Sequence, residues 1–145
     1  MVGVEFDMIV KDSLAALKLY QEVFGVACVE ATALQRGENE VVFTLHGTRF
    51  HMLDQNEQFQ LKAPAKGTIL PFWFNVLVED IKPIYAKAID CGFGVLQALT
   101  EMPDFGVSTA SLLDPYGYQW MLTQLHVVKS LDERLEAYDK AKDAK

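Results

Sequence analysis

Residues 6–12 read FDMIVKD, and residues 74–80 read FNVLVED. Laid over each other, the two stretches share Phe, Val and Asp at matching places, and the remaining pairs are chemically close or similar in size. Each runs straight into a helical pattern, and each helical pattern closes on Phe-Gly-Val, at 24–26 and again at 93–95. The offset is 68 residues at the start and 69 at the end, so one inserted residue separates the copies. Agreement in residue type, order and spacing makes the chain two copies of one module.

Working outward, each module opens on an alternating strand. Phe6, Met8 and Val10 point one way while Glu5, Asp7 and Ile9 point the other; Phe74, Val76 and Val78 oppose Trp73, Asn75 and Leu77 in the same manner. A helix follows in both. Asp12 or Ser13 caps the first, its apolar stripe is Leu14, Leu17, Tyr20 and Phe24, and Gly25 stops it. Asp80 caps the second and Pro83 fits its first turn. Its stripe is Ile81, Ile84, Tyr85, Ala88 and Ile89, ending before Gly92. Three strands then follow each helix, at about 27–35, 40–46 and 48–54, and at about 95–101, 107–113 and 118–125.

Turn chemistry joins the last strand pair of each module, through His46-Gly47-Thr48 and through Asp114-Pro115-Tyr116-Gly117. The expected modules span 4–54 and 70–125, with a polar linker at 55–69 carrying Pro64 and Gly67. They make one domain over 1–128. Ser130 with Glu133 three residues on is a capping box, which predicts a tail helix within 129–145 through Leu131, Leu135 and Tyr138.

Composition narrows the partners. A net charge of −7 argues against nucleic acid and anionic membrane, both of which call for a basic face. The longest apolar run, ILPFWFNVLV, is too short to span a bilayer and is broken by Pro71 and Asn75. Cys28 and Cys91 form no C-x-x-C pair, which suggests a reducing compartment with both thiols as small core residues. No stretch reads as a secretory signal. A soluble, cytoplasmic protein is expected.

The tandem βαβββ order resembles the vicinal oxygen chelate superfamily of glyoxalase I, bleomycin-resistance proteins and extradiol dioxygenases, and within it the PhnB-like proteins. The resemblance is carried by AALKLYQEVFG (15–25), MLDQNEQF with APAKGT (63–68), NVLVEDI (75–81) and DPYGYQWMLTQLHVV (114–128). It implies an α+β fold in which two modules curve their sheets into an open, mixed, cup-shaped sheet, helices outside and a ligand cleft inside, with a C-terminal helix added. It also implies a homodimer whose ligand is a small organic molecule.

Metalloenzymes of that superfamily hold one divalent ion with four positions, one on the first and one on the last strand of each module. The resemblance puts those positions at Glu5, His51, Trp73 and Met121. Trp and Met are not ligands for a hard cation, and Glu5 with His51 leaves too few. Asp7 lies two residues along the strand, roughly 7 Å further. No metal or other cofactor is therefore expected, and no catalytic residue is assigned. The resemblance implies a ligand-binding lining of Glu5, Asp7, Arg49, His51, Trp73, Asn75, Gln119 and Met121.

Chemistry without a metal has few candidates. His46 sits in a turn, His126 lies past the last strand, and His51 alone is inside a strand. No G-x-S-x-G elbow or phosphate-binding glycine loop occurs. Glu5 and Asp7, on one strand face, are expected to raise each other's pKa. Trp120 alternates with Met121 and should pack under a helix, which leaves Trp73 as the aromatic facing a ligand. Two functions remain open: a metal-free small-molecule-binding protein, or a metal-dependent lyase, isomerase or dioxygenase-like enzyme with a displaced metal.

Overall fold

A computed structural model of the chain describes residues 1–144. The order of elements is β1 (Phe6–Val10), α1 (Ser13–Phe24), β2 (Ala27–Ala31), β3 (Glu40–Leu45), β4 (Thr48–Asp54), β5 (Phe74–Leu77), α2 (Ile81–Asp90), β6 (Gly94–Met102), β7 (Val107–Leu113), β8 (Gln119–Leu125) and α3 (Leu131–Asp143). The fold is α+β, with βαβββ occurring twice before the tail helix. By contacts the chain forms two compact units. One is Met1–Pro71 together with the turn Asp114–Tyr118; the other is Phe72–Leu113 with the residues from Gln119 on. Among the described residues, no helix is long and apolar enough to cross a membrane.

The sheet of the first unit runs β1-β4-β3-β2 and that of the second β5-β8-β7-β6. In each, the first strand lies parallel to the last, and the other pairs are antiparallel. Both are mixed and open. Phe6 pairs with Phe50 and Asp7 with His51, as Phe74 pairs with Trp120 and Asn75 with Met121, so the repeat persists in the register.

In the first unit α1 covers Met8, Val10, Phe43, Phe50 and Met52, all buried. Asp12 caps α1 through Ala15 N, and Gly25 ends it. The buried face is Ser13, Ala16, Leu17, Tyr20 and Val23, turned from the expected Leu14–Phe24 stripe. Small Ser13 and Ala16 let the helix approach the sheet, and Ser13 N donates to buried Asp54 at 2.7 Å, which holds that face inward. Phe6 departs from the burial that its place on the face of Met8 and Val10 implies. It opens β1, leans on Phe50 at 5.5 Å between ring centroids, and stays 45% exposed.

β2 stops four residues short of its expected end because Asn39 gathers the chain that follows it. Asn39 Oδ1 accepts from Thr32 Oγ1 and Leu34 N, and its Nδ2 donates to Leu34 O. Every residue of β2 is exposed, since this edge strand pairs only with β3. Cys28 is therefore exposed rather than in the core, and Cys91, at the end of α2, is only half-buried.

The Asp-Pro-Tyr-Gly-Tyr turn is held inside the first unit by a buried carboxylate. Asp114 Oδ1 accepts from Tyr116 N and Tyr118 N, while Tyr20 Oη donates to Oδ2 at 2.5 Å. Tyr118 Oη donates to Ile9 O and accepts from Ile9 N. Gly117 is required here, because its φ is 94° and a Cβ would sit 2.9 Å from Pro64 Cβ. The linker is not featureless either: Asn56 caps a 3-10 turn at Glu57–Phe59 and bridges to Leu61.

In the second unit Phe74, Val76, Trp120 and Leu122 are buried, with Trp120 fully so, as alternation requires. Val78 lies just past β5 and is half-buried. α2 buries Ile81 and Ala88, while Ile89 is exposed. α3 begins with the Ser130–Glu133 capping box and packs Ala137 beside the 3-10 turn Pro103–Phe105.

Candidate functional site

The parallel register of β1 and β4 brings the candidate residues of the first half together. Glu5 precedes β1 beside Arg49, and Asp7 pairs with His51. All four side chains leave the face opposite buried Met8 and Met52. Arg49 Nε donates to Glu5 Oε2 at 2.7 Å. His51 Nδ1 stands 3.3 Å from Glu5 Oε1 and 3.9 Å from Asp7 Oδ1, and its Nε2 stands 3.3 Å from Glu40 Oε2. The imidazole is thus fixed between three carboxylates.

Glu40 is the participant the sequence reading passed over. Counting back from the two-residue His46-Gly47 turn puts Val42 opposite His51 and Glu40 two residues along the same face. The turn residues held that information.

The two carboxylates on the first strand do not shift alike. The Arg49 hydrogen bond holds Glu5 below its ordinary value against a smaller opposing effect of burial, with Asp7 and His51 adding to the lowering. Burial pushes Asp7 up, and the hydrogen bond and negative charge of Glu5 add to that, against the nearby imidazole. The expectation that each raises the other holds for Asp7 and fails for Glu5, because Arg49 is in contact with only one of them.

The second half places neutral groups at the corresponding positions. Trp73 precedes β5 as Glu5 precedes β1 and is 55% exposed. Asn75 replaces Asp7 and accepts from Thr123 Oγ1 at 2.8 Å. Met121 pairs with Asn75 as His51 pairs with Asp7, and Gln119 takes the place of Arg49. Met121 and Gln119 are half-buried.

A divalent ion at the four implied positions does not fit these residues, since an indole and a thioether stand at two of them. Glu5, Asp7 and His51 do bring one ligand atom each within 4.8 Å of one another. That trio is the donor set a displaced ion would use, in competition with Arg49 and Glu40.

The family model of the Glyoxalase/Bleomycin resistance protein/Dioxygenase superfamily matches residues 4–122. The chain belongs to this superfamily. Solved structures with the glyoxalase-type fold agree with it. A gene product from Arabidopsis thaliana superposes with a TM-score of 0.68 at 19% identity, covering 84% of this chain and 98% of that one. TioX from Micromonospora sp. ML1 gives 0.63 at 18% identity, covering 86% and 100%. The fosfomycin resistance protein FosX from Listeria monocytogenes, in complex with Mn(II) and sulfate, gives 0.64 at 14% identity, covering 93% and 98%. No curated protein matches the sequence. At these identities the superfamily likeness is one of fold, and the site must be read from its own residues.

Proposed function

We propose that this superfamily member is a small-molecule-binding protein whose first unit seats its ligand at Glu5, Asp7, Arg49 and His51 without the inherited metal. The observation that carries the reading is the excess of carboxylate on that face. Glu5, Asp7 and Glu40 surround one imidazole, and Arg49 pairs with Glu5 at 2.7 Å. Asp7 and Glu40, 57% and 52% exposed, are the carboxylates left facing water. Such a face suits a ligand with an amine, or with several hydroxyl or amide donors, and disfavours a phosphate or dicarboxylate. The corresponding face of the second unit, with Trp73, Asn75, Gln119 and Met121, would offer a π-surface and neutral polar groups.

A thermal-shift screen of cationic, neutral and anionic metabolites tests the reading. Amine-bearing compounds are expected to stabilise the protein, and stabilisation by anions alone would sink it. The same reading takes the protein as a cytoplasmic homodimer, with a dimer mass expected in light scattering at tens of micromolar.

The convergence of Glu5, Asp7 and His51 favours one rival, a lyase, isomerase or dioxygenase-like enzyme with a displaced divalent ion. Elemental analysis separates the two. About one Zn, Ni, Mn or Fe per chain, lost in Glu5→Ala, would establish the rival.

A further inference from the structure

The second unit carries a hydroxyl–imidazole pair that takes no part in the face around His51. Ser108 lies near the start of β7, opposite Glu101 of β6 and Gln124 of β8. Its Oγ stands 2.8 Å from Nε2 of His126, within the range of a nucleophile and its general base. Ser108 is only 2% exposed, whereas His126 is exposed, so the imidazole bridges solvent and a sheltered hydroxyl. Both line a cavity of about 290 Å³, whose wall includes the apolar side chains of Met102, Pro103, Val107 and Val127. A small, mostly apolar hollow with a few placed polar groups is the usual form of a ligand site.

The pair is also held in place. His126 N and Val127 N both donate to Gly106 O, at 2.8 and 3.1 Å. Gly106 has φ of 70°, and a Cβ there would lie 2.3 Å from Val127 O. Only glycine permits that approach, which fixes the chain bearing the imidazole two residues before Ser108.

We propose that Ser108 and His126 form a second site, which hydrolyses small esters with an apolar acyl group. Ser108 Oγ attacks the ester carbonyl carbon while His126 Nε2 takes its proton. The carbonyl–alkoxy bond then breaks, and the leaving alcohol takes the proton back from the imidazole. A solvent water, deprotonated by His126, attacks the acyl-serine; the carboxylic acid leaves and the Ser108 hydroxyl is restored. The apolar side chains of the wall, beside Glu101 at its edge, suit an alkyl acyl group.

The test uses the full chain in a Cys28→Ser background, because the exposed thiol of Cys28 is an alternative nucleophile. The protein is treated with an alkyl fluorophosphonate and with p-nitrophenyl butyrate, and the labelled peptide is mapped by mass spectrometry. One adduct on the Ser108 peptide is expected, together with ester turnover that Ser108→Ala abolishes. His126→Gln keeps a hydrogen-bonding group at the exposed end of the pair and leaves the buried hydroxyl in place. It is expected to slow labelling on the order of a hundredfold, with an unchanged circular dichroism spectrum. An unlabelled protein, an adduct elsewhere, or labelling indifferent to His126→Gln would overturn the proposal.

Discussion

The two halves of this chain share a backbone plan and differ in what they do with it. Towards the end of each sheet's last strand the same device recurs: a side chain there accepts from the first helical N–H. Asp54 Oδ1 takes Ser13 N at 2.7 Å, and Gln124 Oε1 takes Ile81 N at 3.0 Å. Towards the strand starts the halves part. Glu5, Asp7, Arg49 and His51 form a charged network in one, where Trp73, Asn75, Gln119 and Met121 stand in the other. Positions that anchor helix to sheet are tied to the fold's geometry, while the outward face is free to carry different chemistry in each half.

The largest expected effect tests the shared device. Asp54 is buried and also accepts from Gly37 N and Asn39 N through Oδ2, so Asp54→Ala orphans three N–H groups at once. It should cost about 3–5 kcal/mol, against about 1 kcal/mol for Gln124→Ala, measured by urea unfolding. Equal losses would mean that the two anchors are equivalent after all.

Acid should separate the halves next. Burial tends to raise the Asp54 pKa, but the N–H bonds from Ser13, Gly37 and Asn39 outweigh it and leave it lowered. A carboxylate with a folded value below its unfolded one, near 3.9, stabilises the protein above that value. The contribution is lost as pH falls through the lower folded value. Stability should therefore drop below about pH 4 in the wild type, with a shallower slope in Asp54→Asn; identical slopes would remove Asp54 as the cause.

On the outward faces, Asp7→Asn makes the first half resemble the second at one position. It should weaken an amine ligand about tenfold, the factor that ~1.4 kcal/mol represents, and leave the melting temperature unchanged. Affinity that survives intact would show that Asp7 lies outside the binding surface. The smallest effect is expected at Arg49→Gln. The Arg49–Glu5 pair is solvent-exposed, so its loss should not move the thermal midpoint. Loss of the Arg49 contact and release of Glu5 oppose each other, so amine binding should change by less than the factor of about ten expected for Asp7→Asn; a larger loss would make Arg49 the main contact.

The repeat, the element order and most caps were legible in the sequence because they depend on local patterns. Asp12, Gly25, Asp80 and the Ser130–Glu133 box act within one turn of their own helix. Part of the charged face was legible too: alternation put Glu5 with Asp7, and the resemblance to the superfamily added His51. Glu40 was available in principle from the length of the His46-Gly47 turn. Cys28 and Phe6 were misjudged because apolar character does not say whether another element covers a residue.

By itself, then, the sequence determined two βαβββ modules, the faces of their strands, and the neutral residues at half of the implied metal positions. The modules and faces follow from periodicity and turn chemistry, which are local, and the metal positions from the resemblance to the superfamily. Only the tertiary structure decided that Arg49 would lower Glu5 while Asp7 rises, that Tyr20 would hold Asp114, and that Ser108 would meet His126. Each depends on distances between side chains far apart in the chain, and one residue of slip in strand register would undo them.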